Sequence, residues 1–263
     1  LPEPDLALLT EAALAAGKIA MGHFKANPQV WEKPGGAGPV TVADLEVAQM
    51  LRSELIGARS AFGWLSEESE DDPERLEREM TFIVDPIDGT RAFIAGQTGW
   101  GHSLAIARRG EVQAAVVHLP ARGETYAAAR GQGATLNGAP IQASSAPGLS
   151  GTEILATKAN FRPEFWETAP PRVRHSFRSS LAYRMAAVAH GRFDAMLTLR
   201  PTWEWDIAAG SLLVTEAGGD VVTAQGQPPR FNSPSAKQPG LLAGAPGVVQ
   251  AFLTAGPRLP RAA

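Results

Sequence analysis

The stretch "MTFIVDPIDGT" (residues 80–90) joins an apolar run to two aspartates that lie three positions apart. The run predicts a buried strand that ends at Asp85, because Pro86 lacks the amide hydrogen that would continue a ladder. Gly89 permits an unusual backbone conformation, and a short helix is predicted to follow it. Since neighbouring carboxylates disfavour each other's ionisation, the stretch indicates either a charged turn or a cation site.

Carboxylates elsewhere in the chain favour the cation site. Glu67 follows a predicted strand, and Asp206 begins a predicted helix. Asp44 and Thr41 form the pattern of a helix capping box. Each residue alone has an ordinary structural use. Together, with no cysteine and no histidines at ligand spacing, they indicate a hard cation such as Mg²⁺ held by oxygen atoms.

The turn after the second aspartate also predicts a place for phosphate. If a helix starts at Gly89 and Thr90, their amides point outward, and such amides bind phosphate. An EF-hand is excluded because its acidic groups stand at every second position, and the Asp-x-Asp of phosphatases with an aspartyl nucleophile is absent here. A carboxylate cluster beside such amides indicates metal-assisted phosphoryl transfer to water.

The pattern of apolar residues predicts an α/β fold in two halves. Residues 1–141 combine helices with an antiparallel meander, an α+β pattern. Residues 152–263 alternate strands with helices, an α/β pattern. The segment 142–151, "QASSAPGLSG", is the predicted boundary. The predicted helices are 5–26, 41–55, 180–191, 205–219 and 247–256.

The composition is that of an ordinary globular protein, with 44% hydrophobic and 19% charged residues. A net charge of −3 gives no strong field that would select a nucleic acid polymer or an anionic membrane. No apolar run approaches the roughly 20 residues of a membrane span, and no export signal is visible. With no cysteine, these features lead us to expect a cytoplasmic protein with a small-molecule partner.

Four motifs resemble the inositol monophosphatase superfamily, the lithium-sensitive, Mg²⁺-dependent phosphomonoesterases. The motifs are "GPVTVADLEV" (38–47), "GWLSEES" (63–69), "VDPIDGTRAFI" (84–94) and "EWDIAAGSLLVTEAGG" (204–219). They follow the family's order over most of the chain, and jointly they are specific. The resemblance implies a layered αβαβα sandwich with the site between the halves, and a homodimer.

The resemblance also implies a set of metal ligands. Glu67, Asp85 and the carbonyl of Ile87 would hold one Mg²⁺. Asp85, Asp88 and Asp206 would hold a second, and a third, weaker ion would lie near Glu67. Two or three Mg²⁺ ions per site are therefore expected.

Catalytic roles follow from the same resemblance. Thr90 would orient or deprotonate the attacking water, with Asp44 and Thr41 behind it. The amides of Gly89 and Thr90 would bind the phosphate. The implied reaction is in-line attack of a metal-activated water on a phosphate monoester, without a phosphoenzyme.

The substrate is predicted from residues that differ within the family. Inositol phosphatases of the family usually have an acidic residue seven positions before the helix-start aspartate, where this chain has Leu199. The segments 179–184 and 201–206 are more similar to the branch that removes the 3′-phosphate of adenosine 3′,5′-bisphosphate. Arg184 or Arg200 could bind a second phosphate.

Other substrates are also compatible with the sequence. The alternative is inositol 1-phosphate, and histidinol phosphate or a non-catalytic, phosphate-binding role is less favoured. The residues predicted to face the substrate are Asp88, Gly89, Thr90, Ser180, Arg184, Arg200 and Asp206.

Overall fold

The computed structural model describes residues 3–36 and 38–258. Its α-helices are α1 (Glu3–His23), α2 (Val42–Ala58), α3 (Thr90–Ile94), α4 (Leu181–Ala189), α5 (Glu204–Glu216) and α6 (Pro246–Thr254). The strands of the first half are β1 (Val30–Glu32), β2 (Pro39–Thr41), β3 (Gly63–Ser66), β4 (Met80–Asp88), β5 (Gly101–Arg108), β6 (Glu111–Leu119), β7 (Glu124–Ala129), β8 (Ala134–Leu136) and β9 (Ala139–Pro140). Those of the second half are β10 (Glu153–Leu155), β11 (Arg174–Ser176), β12 (Ala195–Thr198), β13 (Thr202–Trp203), β14 (Asp220–Val222), β15 (Lys237–Gln238) and β16 (Leu241–Gly244).

The strands form two principal sheets. The larger has seven strands in the order β3-β4-β5-β6-β7-β8-β9. Its first pair is parallel and the remainder is the predicted antiparallel meander. The smaller has five strands in the order β11-β10-β12-β16-β14, with parallel and antiparallel pairs. Two short ribbons, β1-β2 and β13-β15, lie outside them.

The helices and the two sheets stack in five layers. Helices α1 and α2 pack on one face of the larger sheet, and α4 and α5 pack on its other face. The pair α4–α5 also contacts the smaller sheet, whose far face is covered by α6. This αβαβα arrangement confirms the predicted fold class, because each sheet face buries its apolar side chains against a helix layer.

The middle layer joins the two halves of the chain. One apolar cluster contains Val117 of β6 and Leu213 of α5, both fully buried, together with Met196 of β12. The predicted boundary 142–151 contains no helix or strand. Side chains from before and after this segment therefore share one core, and α4 and α5 begin next to the larger sheet.

The start of α2 has the predicted capping box. The Thr41 side chain accepts hydrogen bonds from the amides of Ala43 and Asp44, and the Asp44 carboxylate accepts one from the Thr41 amide. Both side chains are buried, so the box also places a carboxylate inside the protein. None of the described helices is long and apolar enough to cross a membrane.

Candidate active site

Two neighbouring aspartates and a third from a distant part of the sequence meet where the larger sheet touches the middle helix layer. Asp85 and Asp88 lie on β4, and Asp206 lies in the first turn of α5. One carboxylate oxygen of each lies within 4.8 Å of the other two. The structure thus brings together the three carboxylates that were predicted to share a cation.

Strand β4 continues past Pro86, so the prediction that it ends at Asp85 is wrong. Its pairing with β5 runs through Asp85–Ser103 and resumes at Asp88–Gly101, with a register shift between them. The shift adds one residue to β4, and Pro86 is tolerated because a bulge leaves a residue outside the ladder. Residues three apart in a regular strand point to opposite faces. The extra residue returns Asp88 to the side of Asp85.

The start of α5 is held against the larger sheet. Ser103 Oγ on β5 donates to the carbonyl of Trp205 at 2.8 Å. Glu204 is fully buried and accepts a hydrogen bond from Gln238 Nε2 at 3.1 Å. These contacts orient the first turn of the helix, and thereby Asp206, toward β4.

The electrostatics of the cluster favour a bound cation. Burial raises the pKa of Asp85 well above its ordinary value, and the charges of Glu67, Asp88 and Asp206 raise it further. Asp85 Oδ1 is buried and has no hydrogen-bond partner among the described residues. A divalent cation would contact this atom and offset the repulsion. Since the clustered side chains offer only oxygen, they fit Mg²⁺.

Asp88 is held by the start of α4. Its Oδ2 accepts hydrogen bonds from Ser180 Oγ at 2.7 Å and from the Ala182 amide at 2.6 Å. Burial raises the pKa of Asp88, while these two hydrogen bonds oppose the rise. Ser180 also caps α4, accepting from the Tyr183 amide at 2.9 Å. The predicted substrate residue Ser180 thus orients a carboxylate of the cluster.

Glu67 lies just beyond the carboxyl end of β3, next to the part of β4 that carries Asp85. Its amide donates to the carbonyl of Val84 at 3.3 Å. Its side chain pairs with Lys33 Nζ at 2.7 Å, and Lys33 also contacts Glu68 at 2.5 Å. Burial raises the pKa of Glu68 to about 7 despite this lysine. Lys33 was not predicted, because a lysine in a glycine-rich loop gives no sequence signal for such a contact.

The predicted Thr90–Asp44–Thr41 series is formed. Thr90 Oγ1 lies 3.2 Å from Asp44 Oδ1 and 3.1 Å from the carbonyl oxygen of Ile87. Asp44 Oδ2 accepts from Thr41 Oγ1 at 2.6 Å and from the Thr41 amide at 2.8 Å. The buried Asp44 carboxylate can therefore accept a hydrogen bond from the Thr90 hydroxyl. The lone pairs of Thr90 Oγ1 then remain available to accept a hydrogen bond from a water molecule.

Gly89 makes the turn between β4 and α3. It adopts a left-handed conformation with φ 95° at the N-cap of α3. A Cβ at this position would lie 3.1 Å from the carbonyl oxygen of Gly99 and 3.2 Å from Ser180 Cβ. Both the backbone and the space therefore require glycine. Binding of phosphate by the Gly89 and Thr90 amides stays a prediction.

Arg184 places a buried positive charge beside the carboxylates. Its Nε donates to the carbonyl of Arg178 at 2.6 Å, and its guanidinium lies 4.6 Å from the ring centre of Phe177. It forms no salt bridge with any described carboxylate. Burial lowers its pKa to about 10, and the exposed Arg200 contributes to this. Attraction to Asp88 opposes the decrease.

The layers and the carboxylate cluster define a class of protein, the metal-dependent phosphatases built on an αβαβα sandwich. A sequence model of the inositol monophosphatase family matches residues 1–255. The chain belongs to that family. Members of the family hydrolyse phosphate monoesters and depend on metal ions, so the chain is a phosphoric monoester hydrolase.

Relatives in the family have several names. An inositol-1-monophosphatase from Rhizobium meliloti is 37% identical over 235 residues, which cover 84% of this chain and 86% of that protein. A histidinol-phosphatase from Chlorobaculum parvum is 33% identical, and the match covers 82% of this chain and 84% of that protein. The Nus factor SuhB of Escherichia coli is 34% identical, with 83% and 84% covered.

Two solved structures superimpose on this chain over nearly its whole length. The extragenic suppressor protein SuhB from Bartonella henselae superimposes with a TM-score of 0.81 at 28% identity, covering 96% of this chain and 98% of that one. An IMPase from Thermotoga maritima superimposes with a TM-score of 0.80 at 28% identity, covering 97% of this chain and 96% of that one.

The raised carboxyl pKa values predict a pH-dependent stabilisation by Mg²⁺. Without metal, Asp85 and Asp206 bind protons more tightly in the folded protein than in the unfolded chain, because their pKa values are raised on folding. Their contribution to stability is therefore lost as pH rises through their folded pKa values. Saturating Mg²⁺ should raise Tm by about 5 to 10 °C at about pH 7.5. The increase should be smaller at about pH 5.5, where protons compete with the metal.

Differential scanning calorimetry at matched ionic strength, with and without EDTA, measures both increases. An equal or larger stabilisation by Mg²⁺ at the lower pH would contradict this view of the cluster.

Proposed function

We propose that this chain is a Mg²⁺-dependent phosphomonoesterase whose substrate is adenosine 3′,5′-bisphosphate. The observation that supports the catalytic part is the carboxylate cluster, in which the buried Asp85 Oδ1 has no hydrogen-bond partner among the described residues. Oxygen ligands in a partly dry site suit Mg²⁺. The substrate part rests on the arginines beside the cluster.

The proposed ligands divide between two ions. Glu67, Asp85 and the Ile87 carbonyl would hold one, while Asp85, Asp88 and Asp206 would hold the other. Bound Mg²⁺ supplies Lewis acidity, which makes a water molecule more acidic and neutralises charge on phosphate oxygens. The chain's own carboxylates fix where that chemistry takes place.

The water is oriented by protein groups in this proposal. Thr90 Oγ1 donates to Asp44 Oδ1, so its lone pairs can accept a hydrogen bond from water. The Asp44 carboxylate can take up the proton that passes through Thr90. Thr41 donates to the other oxygen of Asp44 and keeps the carboxylate in place. The amides of Gly89 and Thr90 would bind the phosphate.

The second phosphate of the proposed substrate would bind Arg184, with the exposed Arg200 close enough to add to the positive charge. Arg184 is a buried cation that forms no salt bridge with a described carboxylate, and it is fixed through Arg178 and Phe177. Once Mg²⁺ neutralises the aspartates, its charge lacks compensation, and burying an uncompensated charge is costly. An anionic group on the substrate would remove that cost, and guanidinium binds phosphate well.

The residues near the site also make the alternative substrates less favourable. Histidinol phosphate carries an ammonium group, which Arg184 and Arg200 would repel. Leu199, which stands where an acidic residue would bind inositol hydroxyls, is buried in the apolar cluster under α6. Inositol 1-phosphate remains the second candidate, because the relative from Rhizobium meliloti is an inositol-1-monophosphatase.

Changing one ligand tests the catalytic part of the proposal. Asp85→Asn should lower kcat/KM by more than about 100-fold in the presence of Mg²⁺, since it removes a charge that both ions require. Phosphate release from adenosine 3′,5′-bisphosphate and inositol 1-phosphate, with and without Mg²⁺ and Li⁺, provides the measurement. Asp220→Asn, on an exposed strand end, is the matched control and should retain activity. If neither ester is hydrolysed, or if Asp85→Asn behaves as wild type, the proposal fails.

Two substrates that differ by one phosphate test the role of Arg184. Wild type should hydrolyse adenosine 3′,5′-bisphosphate with a higher kcat/KM than adenosine 3′-phosphate. Arg184→Gln should reduce that preference by about tenfold or more, because a hydrogen bond between charged groups contributes about 1.5 to 3 kcal/mol. Steady-state kinetics on both nucleotides decide the question. Equal losses on the two esters, or better hydrolysis of inositol 1-phosphate by wild type, would refute the bisphosphate assignment.

A further inference from the structure

The bulge in β4 interrupts the pairing with β5 in the protein interior. Between the pairs Asp85–Ser103 and Asp88–Gly101, two residues of β4 face a single residue of β5. Pro86 is buried at this point. A buried carbonyl that loses its ladder partner needs another donor.

His102 provides that donor. It is the β5 residue opposite the bulge and is fully buried. Its Nδ1 is hydrogen-bonded to the carbonyl oxygen of Pro86. Since a carbonyl only accepts, Nδ1 carries the hydrogen. Burial lowers the pKa of His102 to about 3, so the ring is neutral and has one tautomer.

The orientation of the Pro86 carbonyl bears on the metal ligands on either side. Fixing the peptide between Pro86 and Ile87 constrains the following carbonyl, that of Ile87, whose oxygen lies 3.1 Å from Thr90 Oγ1. It also sets the offset between Asp85 and Asp88, because the bulge is the only chain segment between them.

The imidazole is itself held in place. The ring of Trp100 meets it edge to face, with 5.9 Å between the two ring centres. The Nε2 atom of His102 is buried and has no hydrogen-bond partner among the described residues. The hydrogen bond to Pro86 is thus the polar contact that the ring makes there.

We propose that His102 is a positioning residue for the cation site, whose Nδ1–H holds the bulge so that Asp85, the Ile87 carbonyl and Asp88 all face that site. This inference rests on the proposed metal-dependent function. His102 acts through Pro86 and touches no substrate. A histidine that merely fills the core would contribute to stability and leave metal affinity unchanged.

Three substitutions separate these roles. His102→Leu removes the donor at similar volume. His102→Asn keeps a donor near the position of Nδ1, whereas His102→Gln moves the amide toward the position of Nε2. Mn²⁺ binding to the metal-free protein, measured by electron paramagnetic resonance, is the main readout. His102→Leu and His102→Gln should weaken Mn²⁺ binding by about tenfold or more, which is the usual effect of losing a residue that orients metal ligands. Asn should restore most of the affinity.

The neighbouring His118 gives the matched control. It is also buried, and its Nδ1 contacts Thr125 Oγ1 at 2.9 Å. His118→Asn should leave Mn²⁺ affinity unchanged, even if Tm falls. Wild-type Mn²⁺ affinity in His102→Gln, or equal affinities in the Asn and Gln variants, would overturn the inference. This holds even if His102→Leu does not fold. If wild type binds Mn²⁺ yet hydrolyses no phosphate ester, the proposed function fails while the role of His102 stands.

Discussion

Repulsion among three clustered carboxylates, two of them buried, is the constraint on which this site depends. Asp85, Asp88 and Asp206 approach within 4.8 Å, and burial raises the pKa of each. Like charges repel more strongly in a protein interior than in water. The cluster therefore requires protons or a cation at neutral pH. The surrounding contacts limit the same repulsion, since Lys33 pairs with Glu67 and Ser180 donates to Asp88.

The layered fold explains how the cluster forms. The larger sheet supplies two aspartates from one strand, and the bulge turns both to the same side. The middle helix layer is packed against both sheets, so the starts of α4 and α5 are fixed relative to that strand. Ser180 and Asp206 come from these starts. The clustered carboxylates therefore sit on rigid elements, which is what cation binding with defined geometry requires.

Much of this arrangement follows from local patterns in the sequence. The capping box at Thr41 and Asp44, the meander of β5 to β9 and the positions of the long helices depend on neighbouring residues, and they were predicted. The motifs around Asp85 and Asp206 predicted that these carboxylates share a site. In each case the residues concerned are close in sequence or belong to a motif with a known order.

The features that were missed depend on contacts between distant segments. Proline after Asp85 predicted a strand end, yet a partner strand with a one-residue offset allows the ladder to resume. Lys33 reaches Glu67 from a loop 34 positions away. The contact of His102 was also missed, because nothing near it in the sequence reveals that its ring meets the Pro86 carbonyl. Such pairings are set by the register between strands and become visible only in three dimensions.

The clustered aspartates should form a cation site, and locating a cation among them tests this directly. Crystals grown with Mn²⁺ give an anomalous difference map that shows the ion itself. We expect a peak bounded by Asp85, Asp88 and Asp206, in contact with Asp85 Oδ1. A map in which Mn²⁺ binds only elsewhere, while Asp85 Oδ1 stays without a partner, would contradict it.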